Sequence, residues 1–346
     1  MSARQKPKST SKTLASEAKV DACLFLSSDK RPSHSMKYLI GTAGDSAALL
    51  TFKRKQPIYF HSPLEGSPRL EGIEVRKREA GAISKALKQA KATSIGVNYD
   101  ELTKREHDTL KTQLRKQLGK VTFKDVSTNL SKRRQVKTTK EINNLKEAIT
   151  RTERLIKELI KKLPEMTYEY EGIIYLKKRV LELGDELAFE PIVASGNNSK
   201  KPHYEPDRKS RLTKGFCIID FGVKHKGYCA DITRTIYIGT PSKADIDFYN
   251  KVKDEQQRLE QELKAGTAKA KPSFEMIHAL GHGIGLEVHE QPLVGHEKLE
   301  ENMTIAVEPA IYKRQGVRIE DNYLVTAKGL KRLSRSSREL TIIHRN

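Results

Sequence analysis

Residues 278–292 read HALGHGIGLEVHEQP, and the rest of the chain is best read outward from them. His278, His282 and His289 are spaced four and seven apart, and Gly281, Gly283 and Gly285 strip side chains from around the middle one. Glycine lets a backbone pass close to a ligand or a metal ion. A structural turn could use the glycines, but it has little need of three imidazoles. A solvated His-rich loop is the competing reading, to be weighed against what other segments contain.

Four other segments share one peculiarity. The apolar run 216–222 (FCIIDFG) holds Asp220, and 228–234 (YCADITR) holds Asp231. The run 305–312 (IAVEPAIY) holds Glu308, and 317–325 (VRIEDNYLV) holds Glu320. An ionised carboxylate in a buried strand is costly unless it is paired or bound to a cation. One such Asp could pair with an arginine or cap a turn. Four that converged would repel each other until some were protonated or cations bound, and two divalent ions would balance them.

Upstream, short apolar runs at 20–26, 38–41, 47–52, 57–60, 94–97 and 121–126 read as strands, with helices over 80–92 and 101–118. Strands alternating with helices predict a small α/β domain over 19–130, preceded by a mobile basic tail at 1–18. Residues 129–140 (NLSKRRQVKTTK) suit an interdomain linker. A helix follows, with Thr138 and Glu141 at capping-box spacing and Ile142, Leu145, Ile149, Ile156 and Ile160 near helical periodicity. A second helix spans 168–183 and stops at Gly184. The remainder, 131–346, is predicted to form one larger domain.

Composition narrows the function classes. With 346 residues, two domains are expected. No segment reaches the roughly 18 to 20 consecutive apolar residues of a membrane span, and the polar N-terminus has no secretory h-region, so a cytoplasmic protein is expected. Cys23, Cys217 and Cys229 show no CxxC spacing, which predicts buried small side chains, not a disulfide or thiolate zinc framework. Residues 1–140 hold 30 Lys and Arg against 13 Asp and Glu, so +17 of the net +21 lies there. Such asymmetry can signal nucleic acid or an acidic partner, but a solvated basic surface is the preferred reading.

The dispersed carboxylates and the His-rich stretch resemble the pita-bread metallopeptidases, the family of methionine aminopeptidase, aminopeptidase P, prolidase and creatinase. The resemblance implies an α+β chain, with a C-terminal pita-bread domain preceded by a small α/β domain of the creatinase type. It places the family's Asp, Asp, His, Glu, Glu metal series on Asp220, Asp231, His282, Glu308 and Glu320. Asp220 would serve one metal, Asp231 and Glu320 both, and His282 with Glu308 the other. ASG at 194–196 followed by Pro202, His203 and Tyr204 is similar to the segment that supplies a substrate-side histidine in the proline-specific members. Arg318 and Tyr312 match the aminopeptidase P and prolidase branch. One departure is a connection at 238–277 that looks about one helix short, which bears on the position of His278.

The resemblance implies hydrolysis of Xaa-Pro bonds by a metal-bridging hydroxide. Its cofactors would be two divalent ions, manganese or cobalt ahead of zinc. Glu308 would shuttle the proton and His289 would stabilise the tetrahedral intermediate. His203 and His278 would contact substrate, and Arg318 with Tyr312 would orient Glu308, unless Arg318 serves Asp321 instead. Peptides with proline second would be the substrates, of a homodimer. The alternative is a catalytically silent pita-bread protein that binds RNA or another acidic partner. Weaker still is creatinase-like hydrolysis of a guanidino compound.

Overall fold

The structure is a computed structural model describing residues 10–345, with side chains from residue 14 onward. The chain divides into two compact units, residues 1–134 and 135–346.

The first unit is built on a six-stranded sheet. Its order is Glu74–Lys77, Ile58–His61, Ala48–Phe52, Ala22–Leu26, Ser94–Val97 and Thr122–Asp125. Only Ala48–Phe52 runs against its neighbours. Leu24, Leu50, Phe60, Ile95 and Val97 are buried between this sheet and the helices Ala82–Gln89 and Lys104–Leu118, which contribute Leu87, Leu110 and Leu114. Each such side chain removed from water contributes about 1.5–3 kcal/mol before entropy is charged against it.

Several expectations for this unit need correction. The run 38–41 is not a strand but the end of a helix, His34–Ile40. Ser33 caps it by accepting from the Met36 amide, and Gly41 closes it at φ 79°. Met36, Leu39 and Ile40 have helical spacing, so the strand reading mistook period 3.6 for an apolar run. The strand Glu74–Lys77, polar at every second position, had not been anticipated.

The expected tail at 1–18 contains a helix, Thr10–Glu17, in which Leu14 and Ala15 are buried, as is the following Ala18. Residues 1–9 lie outside the described part. The expected linker contains the helix Ser127–Gln135, anchored by buried Leu130.

In the second unit, Thr139–Lys162 begins at the expected box. The Thr138 amide donates to Glu141 and the Glu141 amide to the Thr138 hydroxyl. Its apolar face, Ile149, Ile156 and Leu159, packs with Glu169–Glu182 on a four-stranded sheet ordered Thr341–Ile343, Ile232–Ile238, Gly215–Phe221, Ile192–Ser195. A second layer sets Lys243–Glu262 against a five-stranded sheet ordered Glu290–Leu293, Gly281–Gly283, Thr304–Val307, Asp321–Val325, Leu330–Arg332. Mixed sheets covered by helices make an α+β unit, as expected. No further helix forms between Glu262 and His278 among the described residues. Glu255 of the preceding helix instead holds that connection, accepting from the Ser273 amide and hydroxyl.

Candidate active site

The four carboxylates occupy a particular kind of position. Asp220 lies within the strand Gly215–Phe221, opposite Thr233 and Ile192. Asp231, Glu308 and Glu320 stand where paired strands break, just before Ile232–Ile238, just after Thr304–Val307, and between Gly316–Arg318 and Asp321–Val325. Stretches whose sequence predicts continuous strands are thus interrupted at the acidic residue. A break frees a side chain from strict alternation and allows both sheets to aim residues at one point.

Local hydrogen bonds fix the breaks. Asp231 and Asn322 exchange bonds, the Asp231 amide donating to Asn322 Oδ1 at 3.1 Å and Asn322 Nδ2 to the Asp231 carbonyl at 2.7 Å. The Thr233 hydroxyl donates to Glu320 Oε2 at 2.8 Å. His282 is carried by the short strand Gly281–Gly283, between two others. A Cβ on Gly281 would lie 2.1 Å from the Ala306 carbonyl oxygen, and one on Gly283 would lie 2.2 Å from that of Gln291. The glycines are what let the three strands close around His282.

At the centre, His282 Nδ1 lies 3.1 Å from the Gly283 carbonyl, so it carries the proton and leaves Nε2 as a free lone pair. That Nε2 faces Asp231 Oδ2 at 3.6 Å, Glu308 Oε1 at 3.8 Å and Glu320 Oε1 at 4.0 Å. These gaps are too long for hydrogen bonds, and a lone pair aimed at carboxylate oxygens repels them. Donor atoms spaced in this way suit a cation between them, with bonds of about 2.0–2.2 Å. Three groups of donors lie within 4.8 Å of one another: Asp220, Asp231 and Glu320; His282, Glu308 and Glu320; and Asp231, His282 and His289. Asp220 Oδ1 and Glu320 Oε1 are buried with no hydrogen-bond partner, as expected of atoms shaped for a metal ion.

Electrostatics agrees. Burial, then the charges of Glu320, Asp220 and Glu308, pushes Asp231 well above the usual carboxylate range. Burial with Glu308 and Asp220 does the same to Glu320. Glu308 rises to about 7, mainly through burial, with Arg318 opposing. Burial and the neighbouring His289 lower His282 to about 4. A neutral imidazole among carboxylates that resist ionisation is the protein's half of a cation site.

Arg318 is the one buried cation here. Its Nη2 donates to Asp220 Oδ2 at 2.6 Å, Nε to the Thr233 hydroxyl at 3.0 Å and Nη1 to the Tyr312 hydroxyl at 2.9 Å. It therefore holds Asp220, not Glu308 or Asp321; Asp321 is taken by Arg234, Arg332 and Arg338.

The remaining histidines surround the carboxylates. The ring of His289 sits edge-on to that of His282, centroids 4.4 Å apart. His278 Nδ1 donates to the Ala279 carbonyl and lies 3.7 Å from Glu308 Oε2, while its buried Nε2 has no partner. The shortened connection has not displaced it from the site. Exposed His203 lines the same cavity. Its segment is anchored by fully buried Glu169, which accepts from the Ser195 amide and hydroxyl and from Asn198.

The cavity, about 590 Å3, is lined by Asp220, Asp231, His282, Glu308 and Glu320 together with His203, His278, His289 and Arg318. Its apolar side is formed by Tyr170, Phe189, Pro191, Ile192 and Val288, none of which the sequence reading had selected. Only Val288, inside the His-rich stretch, carried any signal. The three cysteines are free and buried, as anticipated.

Comparison with known proteins follows the same lines. The profile Peptidase_M24, metallopeptidase family M24, matches residues 143–327. A Xaa-Pro dipeptidase of Pyrococcus furiosus is 35% identical over 240 residues, covering 63% of this chain and 68% of the relative. Among solved structures, a Xaa-Pro dipeptidase from Bacillus anthracis superposes with a TM-score of 0.85 at 30% identity, over 96% of this chain and 99% of that one. An X-Pro aminopeptidase from Thermotoga maritima gives a TM-score of 0.85 at 26% identity, over 96% and 100%. With its carboxylates and His282 gathered in one cavity, the chain belongs to metallopeptidase family M24, in the pita-bread branch of the prolidases and aminopeptidases P.

Proposed function

We propose that this cavity hydrolyses the peptide bond preceding proline, with two divalent cations held by Asp220, Asp231, His282, Glu308 and Glu320. The observation that carries the reading is the neutral Nε2 of His282 facing three buried carboxylate oxygens at 3.6–4.0 Å. The Xaa-Pro peptidases to which the chain is similar support the substrate class. Asp220 would serve one ion, His282 with Glu308 the other, and Asp231 and Glu320 would contribute to both. Manganese or cobalt suits this oxygen-rich set better than a thiolate-seeking metal. When bound, such a pair supplies a water activated near neutral pH and polarises the substrate carbonyl.

The side chains do the rest. Glu308, a carboxylate lining the cavity beside the attacking water, takes its proton and delivers it to the departing proline nitrogen. His289 donates to the oxygen that gains charge in the tetrahedral intermediate. His278 and His203 hold the peptide, Arg318 keeps Asp220 in place, and Tyr170, Phe189 and Val288 give the pyrrolidine ring an apolar wall.

The test is proline release from Ala-Pro and alanine release from Ala-Pro-Ala with manganese supplied. Turnover of either is expected, lowered about 10²–10⁴-fold in Glu308→Gln. No turnover with manganese, cobalt or zinc would overturn the reading in favour of a silent binding protein.

A further inference from the structure

One end of the first unit's sheet gathers a cationic surface that the peptidase site does not use. The parallel strands Ala22–Leu26, Ser94–Val97 and Thr122–Asp125 all begin there, and Ala48–Phe52 ends there. The residues just outside these strand ends are Lys19, Lys53, Arg54, Lys55, Lys91 and Lys120, all exposed. None is in an ion pair within the described residues, so all six charges face solvent.

The adjoining loops are tied together. Lys55 Nζ donates to the Gln89 carbonyl, the Lys53 amide to Asp21, and the Thr122 amide to Thr93. Asp21, the carboxylate among them, spends one oxygen on the amides and hydroxyls of Thr93 and Ser94. Glu71 and Glu74 lie beyond, by the edge strand Glu74–Lys77, where Glu74 pairs with Arg76 at 2.7 Å. At the opposite strand ends Asp29, Asp45, Glu65 and Asp100 are interspersed with Lys30, Arg31, Lys77 and Arg78, so charge there is mixed.

Lys19 and Lys91 have φ of 55° and 52°, the left-handed region that glycine or asparagine adopts most easily. Lysine at both positions keeps two cations on this surface at a conformational cost.

We propose that this sheet end binds the sugar-phosphate backbone of a nucleic acid. From Ile58–His61 to Thr122–Asp125 the sheet takes four inter-strand steps, about 19 Å at 4.8 Å each, the rise of about five phosphates along one strand of a duplex. The residues between the cations, Gln56, Gln89, Thr93 and Gly119, are polar or small. Exposed Leu64 and Tyr99, which could enter a lipid headgroup layer, both follow the opposite strand ends. Phosphates are thus contacted without a platform for reading bases, and binding is blind to sequence.

The test is fluorescence anisotropy of labelled 20-base-pair DNA and RNA duplexes with the full-length protein, at increasing NaCl. Affinity is expected to fall about 10²–10³-fold between 50 and 200 mM NaCl, as four to five neutralised phosphates require. The triple variant Arg54→Glu, Lys91→Glu, Lys120→Glu should bind at least tenfold more weakly while keeping the wild-type thermal melt. A control with the same charge change in the other unit, Lys298→Glu, Lys328→Glu, Lys331→Glu, should bind nearly as wild type does. The proposal is overturned if the loop variant binds like wild type or if the control weakens binding as much. Capture by phosphatidylserine-phosphatidylcholine vesicles with no duplex binding would overturn it too, in favour of a membrane surface. Whichever DNA or RNA arm binds more tightly identifies the source of the phosphate.

Discussion

At the scale of single residues, Arg318 shows how the site tolerates its own charge. It is buried beside Asp220, and its other nitrogens donate to Thr233 and Tyr312, so all three nitrogens are engaged. A lysine keeps the charge but cannot reproduce three directions at once. Arg318→Lys is therefore expected to lower kcat/KM for Ala-Pro-Ala and manganese affinity about 10- to 100-fold. Steady-state kinetics and metal titration measure both; wild-type values in each would show that Arg318 is a bystander. The five metal-ligand candidates were legible in the sequence because acids and a glycine-framed histidine are conspicuous in apolar surroundings. The pairing of Arg318 with Asp220 was not, since 98 positions separate them and Asp321 lies nearer in sequence. Tyr170, Phe189 and Val288 stayed hidden for another reason: an apolar wall residue and an apolar core residue look alike until the cavity is seen.

At the scale of elements, the strand Asp321–Val325 is locked to its surroundings by a buried charge cluster. Asp321 is fully buried between Arg234, Arg332 and Arg338. Burial alone would raise its pKa, but the Arg234, Arg338 and Arg332 guanidiniums outweigh that and hold it below the usual value. A depressed folded-state pKa stabilises above the unfolded value of about 3.9, and that stabilisation disappears as pH falls through the folded value. Asp321→Asn is thus expected to cost about 3–5 kcal/mol at pH 7, because it strands buried guanidiniums. The gap from wild type should shrink below pH 4. Urea unfolding of the metal-free proteins at pH 7 and pH 3 checks this, and an equal gap at both would contradict it. The helix Thr139–Lys162 was legible from the capping box of Thr138 and Glu141, whereas the box of Ser242 and Asp245 that starts Lys243–Glu262 went unread. His34–Ile40 was misread because seven residues carry too little periodicity to tell a helix from a strand. The breaks at Asp231, Glu308 and Glu320 were invisible because pairing between distant strands sets them.

At the scale of the whole chain, chemistry and charge fall in different units: the carboxylate cavity in 135–346, and most of the basic excess in the α/β unit. Composition revealed the asymmetry, but only the sheet topology showed that six cations share one end of it. The central claim, that the buried carboxylates and His282 form a centre for two cations, is tested most directly by calorimetric titration of manganese into the metal-free protein at pH 7.5. Two ions per chain are expected, with proton release as Asp231 and Glu320 give up their raised affinity for protons, and weaker or incomplete binding in Asp231→Asn. No binding, or binding unchanged in Asp231→Asn, would contradict the account.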